Sequence, residues 1–440
     1  MAVERRRSGS VLRGVAILLI ALVLGGLVAE GAIRALDLFA GARAVAGREL
    51  PPDDGEGRLV NLVHPYLGWS RRPGLTSPLA YWRGEIPLFP DGQPTEWAKR
   101  NWRSNVLGYF SEIADYTQVD PDHYVVGVFG GSFADQLALL GGAALEAALV
   151  ERFAELRGKV VVLNLGSSAY KQPQQVISLL EMVVAGVPFD LIVNLDGYNE
   201  IHFGYASAQA GHHPVFPSRG PYRTTVGFLA ERSAGSDALA ERILSEKQSE
   251  RAWLARIGGG AWLGRSELAR SLAGALAQRH QRRRLELESE FQELGVSAEL
   301  PVASFPHRCE DRAGDCWRTM ADVWERSSLL MHGIARDIGA EYLHVLQPNQ
   351  YVEGSKPLSD EERRHAWQPG PRQTLVQRGY AILRERGARL RVAGVPFHDL
   401  TGLYAARTET IYRDVCCHMN LHGNELLAEA IATASLGPSP

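Results

Sequence analysis

From Tyr124 onward, apolar runs of strand length alternate with helical stretches, and this alternation constrains the fold more than any other feature of the chain. Tyr124 to Phe129 (YVVGVF) leads into ADQLALLGGAALEAALVERF, Lys159 to Leu165 (KVVVLNL) into QQVISLLEMVVAG, and Leu191 to Leu195 (LIVNL) is a third run. Runs of consecutive apolar residues without alternation need cover on both faces, and a helix between consecutive strands makes their pairing parallel. The expectation is an α/β architecture with helices on both sides of a central parallel sheet. The alternation pauses over 201–317 and resumes with a helix over 320–338, a strand over 342–346, a helix over 373–386, a short VPFHDL and a closing helix from Asn424.

The N-terminus argues for compartment. Arg5, Arg6, Arg7 and Arg13 flank an uncharged run, Gly14 to Ala29, that with Val11 and Leu12 just reaches membrane-spanning length. Basic residues before it and Glu30 after it place the N-terminus in the cytoplasm and the rest outside. The run is long for a signal peptide, so an uncleaved single-pass anchor is expected; a cleaved signal peptide, with small residues at Ala29 and Gly31, is the alternative. Both readings put the remaining chain outside the cytoplasm. The expected organisation is a basic stub and anchor over 1–38, an irregular Pro-, Gly- and Trp-rich lead-in over 39–120, and a domain over 121–440 carrying a helical insertion, 201–317.

Acidic and basic residues nearly cancel, with a formal net charge of -3, so nothing global points to nucleic acid. The block RHQRRRLELESE in the insertion reads as a solvated helix face with i,i+4 pairs. The four cysteines, Cys309, Cys316, Cys416 and Cys417, lack CxxC spacing, which argues against a zinc site. Either Cys309 and Cys316 close a short loop in an oxidising compartment, or all four remain thiols.

In an open parallel sheet, ligands bind beyond the carboxyl ends of the strands. The polar residues there are Ser132 behind Gly130-Gly131, the Gly166-Ser167-Ser168-Ala169 loop, Asp196-Gly197-Tyr198-Asn199-Glu200, and Gln347, Asn349 and Tyr351 after the fourth strand; Asp414 and His418 precede the last helix. A serine hydroxyl becomes a nucleophile when a histidine takes its proton, and a carboxylate fixes that histidine's tautomer. Ser132, His418 and Asp414 supply the three parts. Backbone N–H groups at Ser132 and in the 166–169 loop, with the Asn199 amide, supply donors for an oxyanion. The bland alternatives are a turn with a helix cap at Gly-Gly-Ser, a turn closed by Asn199, and a half-buried His418 with structural partners.

FGGSF around Ser132, NLGSSAY, GYNE at 197–200 and CCHMNLHGNELLAEAI resemble, in order, the four blocks of the SGNH (GDSL-like) hydrolase superfamily, most closely its membrane-anchored bacterial members with a long insertion. The resemblance covers about 124–200 and 318–435. It implies a flavodoxin-like three-layer sandwich, with Ser132 as nucleophile and oxyanion donor, His418 as base, Asn199 as side-chain donor, and Ala169, Gly166 and Gly197 in the oxyanion and substrate-binding loops. Three departures stand out. Gly131 replaces the usual Asp, Ala169 falls where the family has Gly, and the family's acid position holds Val415, with Asp414 one residue earlier. The implied activity is an extracytoplasmic serine esterase or acylhydrolase acting on a small ester or acylated carbohydrate, with no cofactor or metal. An O-acyltransferase acting on an envelope or exported polysaccharide, and an inactive glycan- or partner-binding module, are the alternatives.

Overall fold

The computed structural model describes residues 61–81, 85–218, 267–297, 309 and 314–437, with isolated positions between 221 and 253. The expected anchor lies outside these residues. The chain divides into two units, one of Arg58–Ala230 with Glu299–Pro440 and one of Met1–Gly57 with Glu231–Ala298, and the sheet belongs to the first.

That unit opens with an antiparallel hairpin, β1 (Asn61–His64) and β2 (Gly68–Arg71), and a short helix α1 (Glu96–Asn101) capped by Thr95, whose side chain accepts from the Ala98 N–H. Five strands follow: β3 (Tyr124–Gly130), β4 (Val160–Gly166), β5 (Leu191–Asp196), β6 (Glu341–Leu346) and β7 (Phe397–Asp399). All four pairings are parallel, in the order β4-β3-β5-β6-β7. Every residue of β3 and β5 is buried, which is why their sequences run apolar without alternation.

Helix α2 (Ser132–Arg152) covers one face with α9 (Leu421–Ala434), and α3 (Gln174–Val184), α6 (Asp315–Ile338) and α8 (Pro371–Val392) cover the other; α4 (Tyr205–Gln209) follows β5, and α7 (Asp360–His365) precedes α8. The first strand in sequence lies inside the sheet, so the chain leaves it toward β4 and returns on its other side for β5. The carboxyl end of β3 is therefore the topological switch point. By length and composition α2 would cross a membrane, but 67% of that stretch is buried within the protein. Its packing on the sheet accounts for its apolar character.

Strand and helix bounds follow the sequence expectation with small extensions, such as Asp315 instead of 320 for the start of α6 and Val392 instead of 386 for the end of α8. Cys309 and Cys316 form a disulfide with a Cα–Cα separation of 5.2 Å, resolving the two readings of that loop. In the other unit, α5 (Glu267–Ser297) carries the basic block; Arg283 pairs with Glu286 at 2.8 Å, His280 with Glu246 at 2.6 Å and Arg284 with Glu250 at 3.2 Å. One of these contacts is an i,i+3 pair and the other two reach residues 34 positions away, so none has the expected i,i+4 spacing.

Candidate active site

Gly130 and Gly131 are dictated by backbone proximity. Gly130 has φ +153°, and a Cβ there would stand 2.2 Å from the Leu195 carbonyl oxygen on β5. Gly131 has an ordinary φ of -85°, but a Cβ on it would meet the Asn199 side-chain nitrogen at 2.1 Å. The two glycines let β3 turn sharply into α2 and bring Asn199 against the turn. Ser132 is then the first residue of α2, where the helix dipole favours negative charge.

His418 reaches Ser132 from the far end of the chain. Its Nε2 lies 2.8 Å from Ser132 Oγ, and its Nδ1 lies 2.5 Å from Asp414 Oδ2. Residues 412–419 form a hairpin-like loop, closed by the antiparallel bridge of Tyr412 with Met419 and by the Arg413 N–H donating to the His418 carbonyl at 2.9 Å. Within it, Asp414 Oδ1 accepts the N–H groups of Cys416, Cys417 and His418 at 2.9, 3.1 and 3.2 Å. Those three bonds coil the turn until a carboxylate four residues before the histidine meets the ring. Val415, three residues before the histidine, presents its carbonyl to Tyr351 Oη at 2.9 Å and Arg372 Nη1 at 2.7 Å.

Burial works to lower the His418 pKa, but the Asp414 charge and hydrogen bond outweigh it, and the net shift is upward. Burial works to raise Asp414, yet His418 and the amides of the turn hold its pKa well below the usual carboxylate range. Asp414 thus stays ionised and His418 is a stronger base than a free imidazole.

Among the described residues, the backbone N–H groups of Ser132 and Ala169 have no protein acceptor. Asn199 Nδ2 donates to the Tyr170 carbonyl at 2.8 Å, which fixes the amide and leaves its second hydrogen. Ala169 adopts φ +63°, the left-handed region a glycine would occupy at lower cost. Its loop is held by Ser218 Oγ donating to the Ala169 carbonyl at 2.7 Å, Tyr170 Oη to the Trp69 carbonyl at 2.5 Å and Gln174 Nε2 to the Leu67 carbonyl at 2.6 Å.

Gly166 and Gly197 are placed differently from the expectation. The Gly166 N–H donates to Asn164 Oδ1 at 3.0 Å and that of Gly197 to Glu200 Oε2 at 2.8 Å, so neither is left for a substrate. Gln347, Asn349 and Tyr351 are buried instead of rimming a pocket. Asn349 Nδ2 donates to the Cys416 carbonyl at 3.3 Å, so this segment braces the histidine turn from behind.

Two groups, the pair of Arg71 with Asp135 and the amine of Lys171, were not expected from the sequence, and Asp196, expected only as one of the polar residues at the strand ends, is a buried acceptor. Arg71, in the lead-in, forms a buried ion pair with Asp135 at 2.7 Å one helical turn beyond Ser132, and Asn164 Nδ2 donates to the same carboxylate at 2.8 Å. Burial pushes the Asp135 pKa up, against the opposing charge of Arg71. Asp196, at the end of β5, accepts from Trp324 Nε1 at 2.7 Å and contacts His344 Nε2 at 3.0 Å. Lys171 is fully buried and donates to the carbonyls of Pro214 and, at 2.7 Å, Phe216; burial lowers its pKa to about 7. The spacing of Asp135 three residues after Ser132 was the available sequence signal; nothing local marked Arg71 or Lys171.

Cys416 Sγ, Cys417 Sγ and a His418 ring nitrogen lie within 4.8 Å of one another. Both ring nitrogens of His418 already have protein partners.

No family model matches the chain, and no curated protein matches it in sequence. It is distantly similar to several solved structures. A GDSL-like lipase from Bacteroides thetaiotaomicron is 9% identical, with 72% of this chain and 90% of that chain covered and a TM-score of 0.31. A variant of an acetyl-xylooligosaccharide esterase from Geobacillus is 11% identical, with 73% and 100% covered and a TM-score of 0.33. An alpha/beta hydrolase from the metagenome of Lake Arreo, Spain, is 12% identical, with 73% and 97% covered and a TM-score of 0.32.

Proposed function

We propose that the chain is a serine esterase or acylhydrolase of the SGNH type, tethered by its N-terminal apolar segment with the site outside the cytoplasm. The observation that carries this reading is the unbroken path from Asp414 through His418 to Ser132 at the switch point of the sheet, beside N–H groups with no acceptor.

Ser132 Oγ attacks the ester carbonyl carbon as His418 Nε2 takes its proton, and Asp414 stabilises the resulting imidazolium. The carbonyl oxygen becomes an oxyanion and accepts from the N–H groups of Ser132 and Ala169 and from the Asn199 amide. The intermediate collapses, the ester C–O bond breaks, and His418 returns the proton to the departing alkoxide. Water then gives a proton to His418 and attacks the acyl-serine carbonyl carbon, and as the bond to Ser132 Oγ breaks His418 passes that proton to the serine, releasing a carboxylic acid and restoring both residues.

The test is hydrolysis of chromogenic esters from acetyl upward by the full chain. Ser132→Ala and His418→Ala are expected to lower the rate by on the order of 1,000-fold or more with the fold retained. Hydrolysis persisting in Ser132→Ala would exclude this assignment.

A further inference from the structure

The residues between Asp414 and His418 include two adjacent thiols that the proposed chemistry does not use. Cys416 is half-buried, Cys417 is buried, and both are free. Their sulfurs are 3.1 Å apart, outside bonding distance but in contact. The same two residues supply two of the three N–H groups that hold Asp414.

The backbone around them is anchored from three sides. Gln350 Nε2 donates to the Asp414 carbonyl at 2.9 Å, Tyr351 Oη and Arg372 Nη1 donate to that of Val415, and Asn349 Nδ2 donates to that of Cys416. A bond between the two sulfurs requires them to close to about 2.05 Å with a dihedral near 90°. Adjacent cysteines make that bond in a small ring containing their own peptide unit. The peptide between 416 and 417 must then rotate while the carbonyls around it are held, and the N–H groups reaching Asp414 Oδ1 turn with it.

We propose that Cys416 and Cys417 are a thiol–disulfide modification site, and that oxidation to a vicinal disulfide releases Asp414 from the turn and draws His418 away from Ser132. The second half of the proposal rests on the hydrolase reading above. The oxidant is a small disulfide such as oxidised glutathione. Cys416 Sγ attacks one sulfur of it, that S–S bond breaks, and one glutathione leaves as a thiolate. Cys417 Sγ then attacks Cys416 Sγ, the mixed disulfide breaks, and the second glutathione leaves. The two cysteine protons end on the two glutathione thiols, so the protein loses two electrons and the small disulfide gains them.

The roles of the two thiols differ with their surroundings. The hydrogen bond from Cys417 and, less strongly, the nearby His418 lower the Cys416 pKa against the effect of burial, whereas burial raises that of Cys417. Cys416 is also the more exposed, which suits it to attack first. The disulfide of Cys309 with Cys316 shows that the same fold accommodates oxidised cysteines elsewhere.

The experiment treats the full chain with oxidised glutathione and follows two readouts, the mass of the peptide carrying Cys416 and Cys417 and the rate at which a fluorophosphonate probe labels Ser132. The expected result is loss of two hydrogens from that peptide together with slowing of labelling on the order of 100-fold, both reversed by dithiothreitol. Cys416→Ser, which retains the 309–316 pair, is expected to show neither change relative to its own untreated rate. Absence of the vicinal disulfide under excess oxidant, or its formation with the labelling rate unchanged, overturns the proposal. Failure of the reduced wild type to label at all strikes the hydrolase reading instead, and the mass readout still decides whether the pair is a modification site.

Discussion

Asp414 shows how far residue spacing can mislead. The resemblance drawn from the sequence puts a carboxylate three residues before the histidine, and Val415 occupies that position here. The extra residue is absorbed because one carboxylate oxygen gathers three backbone N–H groups and the other remains for the ring. Ala169 departs in a similar way, holding a left-handed conformation with its carbonyl bound by Ser218 from outside its own loop. Ser132 at the end of β3 and His418 before the last helix were expected together from their residue types, and the structure brings the two side chains to 2.8 Å. Gly166 and Gly197 were misplaced because which N–H is left unpaired depends on side chains, Asn164 and Glu200, that compete for it. The electrostatics give a pH prediction. A base must be neutral to act, so activity rises with pH through the His418 midpoint, which Asp414 holds above the ordinary 6.5. In Asp414→Asn that support is gone while burial and the Arg413 charge still lower the pKa against Cys416 alone, so the midpoint should fall below that of the wild type while the plateau rate drops by on the order of 1,000- to 10,000-fold. A pH–rate profile of the two proteins checks both. An unshifted midpoint would contradict the coupling.

The elements that carry the site were easier to read than the contacts that lock them. Continuous apolar runs identify β3, β4 and β5, since a strand covered on both faces has no polar side to show. Their bounds shifted by a residue because Gly130, Gly166 and Asp196 still pair with neighbouring strands although their types suggest a turn. The lead-in was less legible. Its irregular sequence gives no periodicity, yet β2 delivers Arg71 to Asp135 of α2, where it also donates to the Gly166 carbonyl at 3.3 Å and stacks over Phe110 at 4.4 Å. Removing one partner of a buried pair leaves an uncompensated charge. Arg71→Met should therefore lower stability by about 3–5 kcal/mol in denaturant unfolding, and adding Asp135→Asn should recover part of it. A loss under about 1 kcal/mol would mean that the pair is not an organising contact.

At the scale of the whole molecule, a five-stranded parallel sheet with its first strand inside places Ser132 at the switch point, and the loops returning to that end bring Asn199 and Ala169 beside it. The α/β class follows from alternation alone, whereas the meeting of residues 132 and 418 depends on sheet order, which no local pattern encodes. Helix α2 illustrates the limit of composition. Its apolar stretch meets the length and hydropathy of a membrane span, yet it lies in the core, while the N-terminal run remains the expected anchor. The insertion is a feature of this chain that a local reading separates from the sheet without assigning it a partner.

The central claim is that Ser132 is an activated nucleophile, and the most direct measurement is fluorophosphonate labelling of the full chain with the modified residue mapped by mass spectrometry. The account predicts a single adduct on Ser132, abolished in Ser132→Ala and slowed by on the order of 1,000-fold in His418→Ala. A folded wild type that takes no label, or takes it elsewhere, would contradict it.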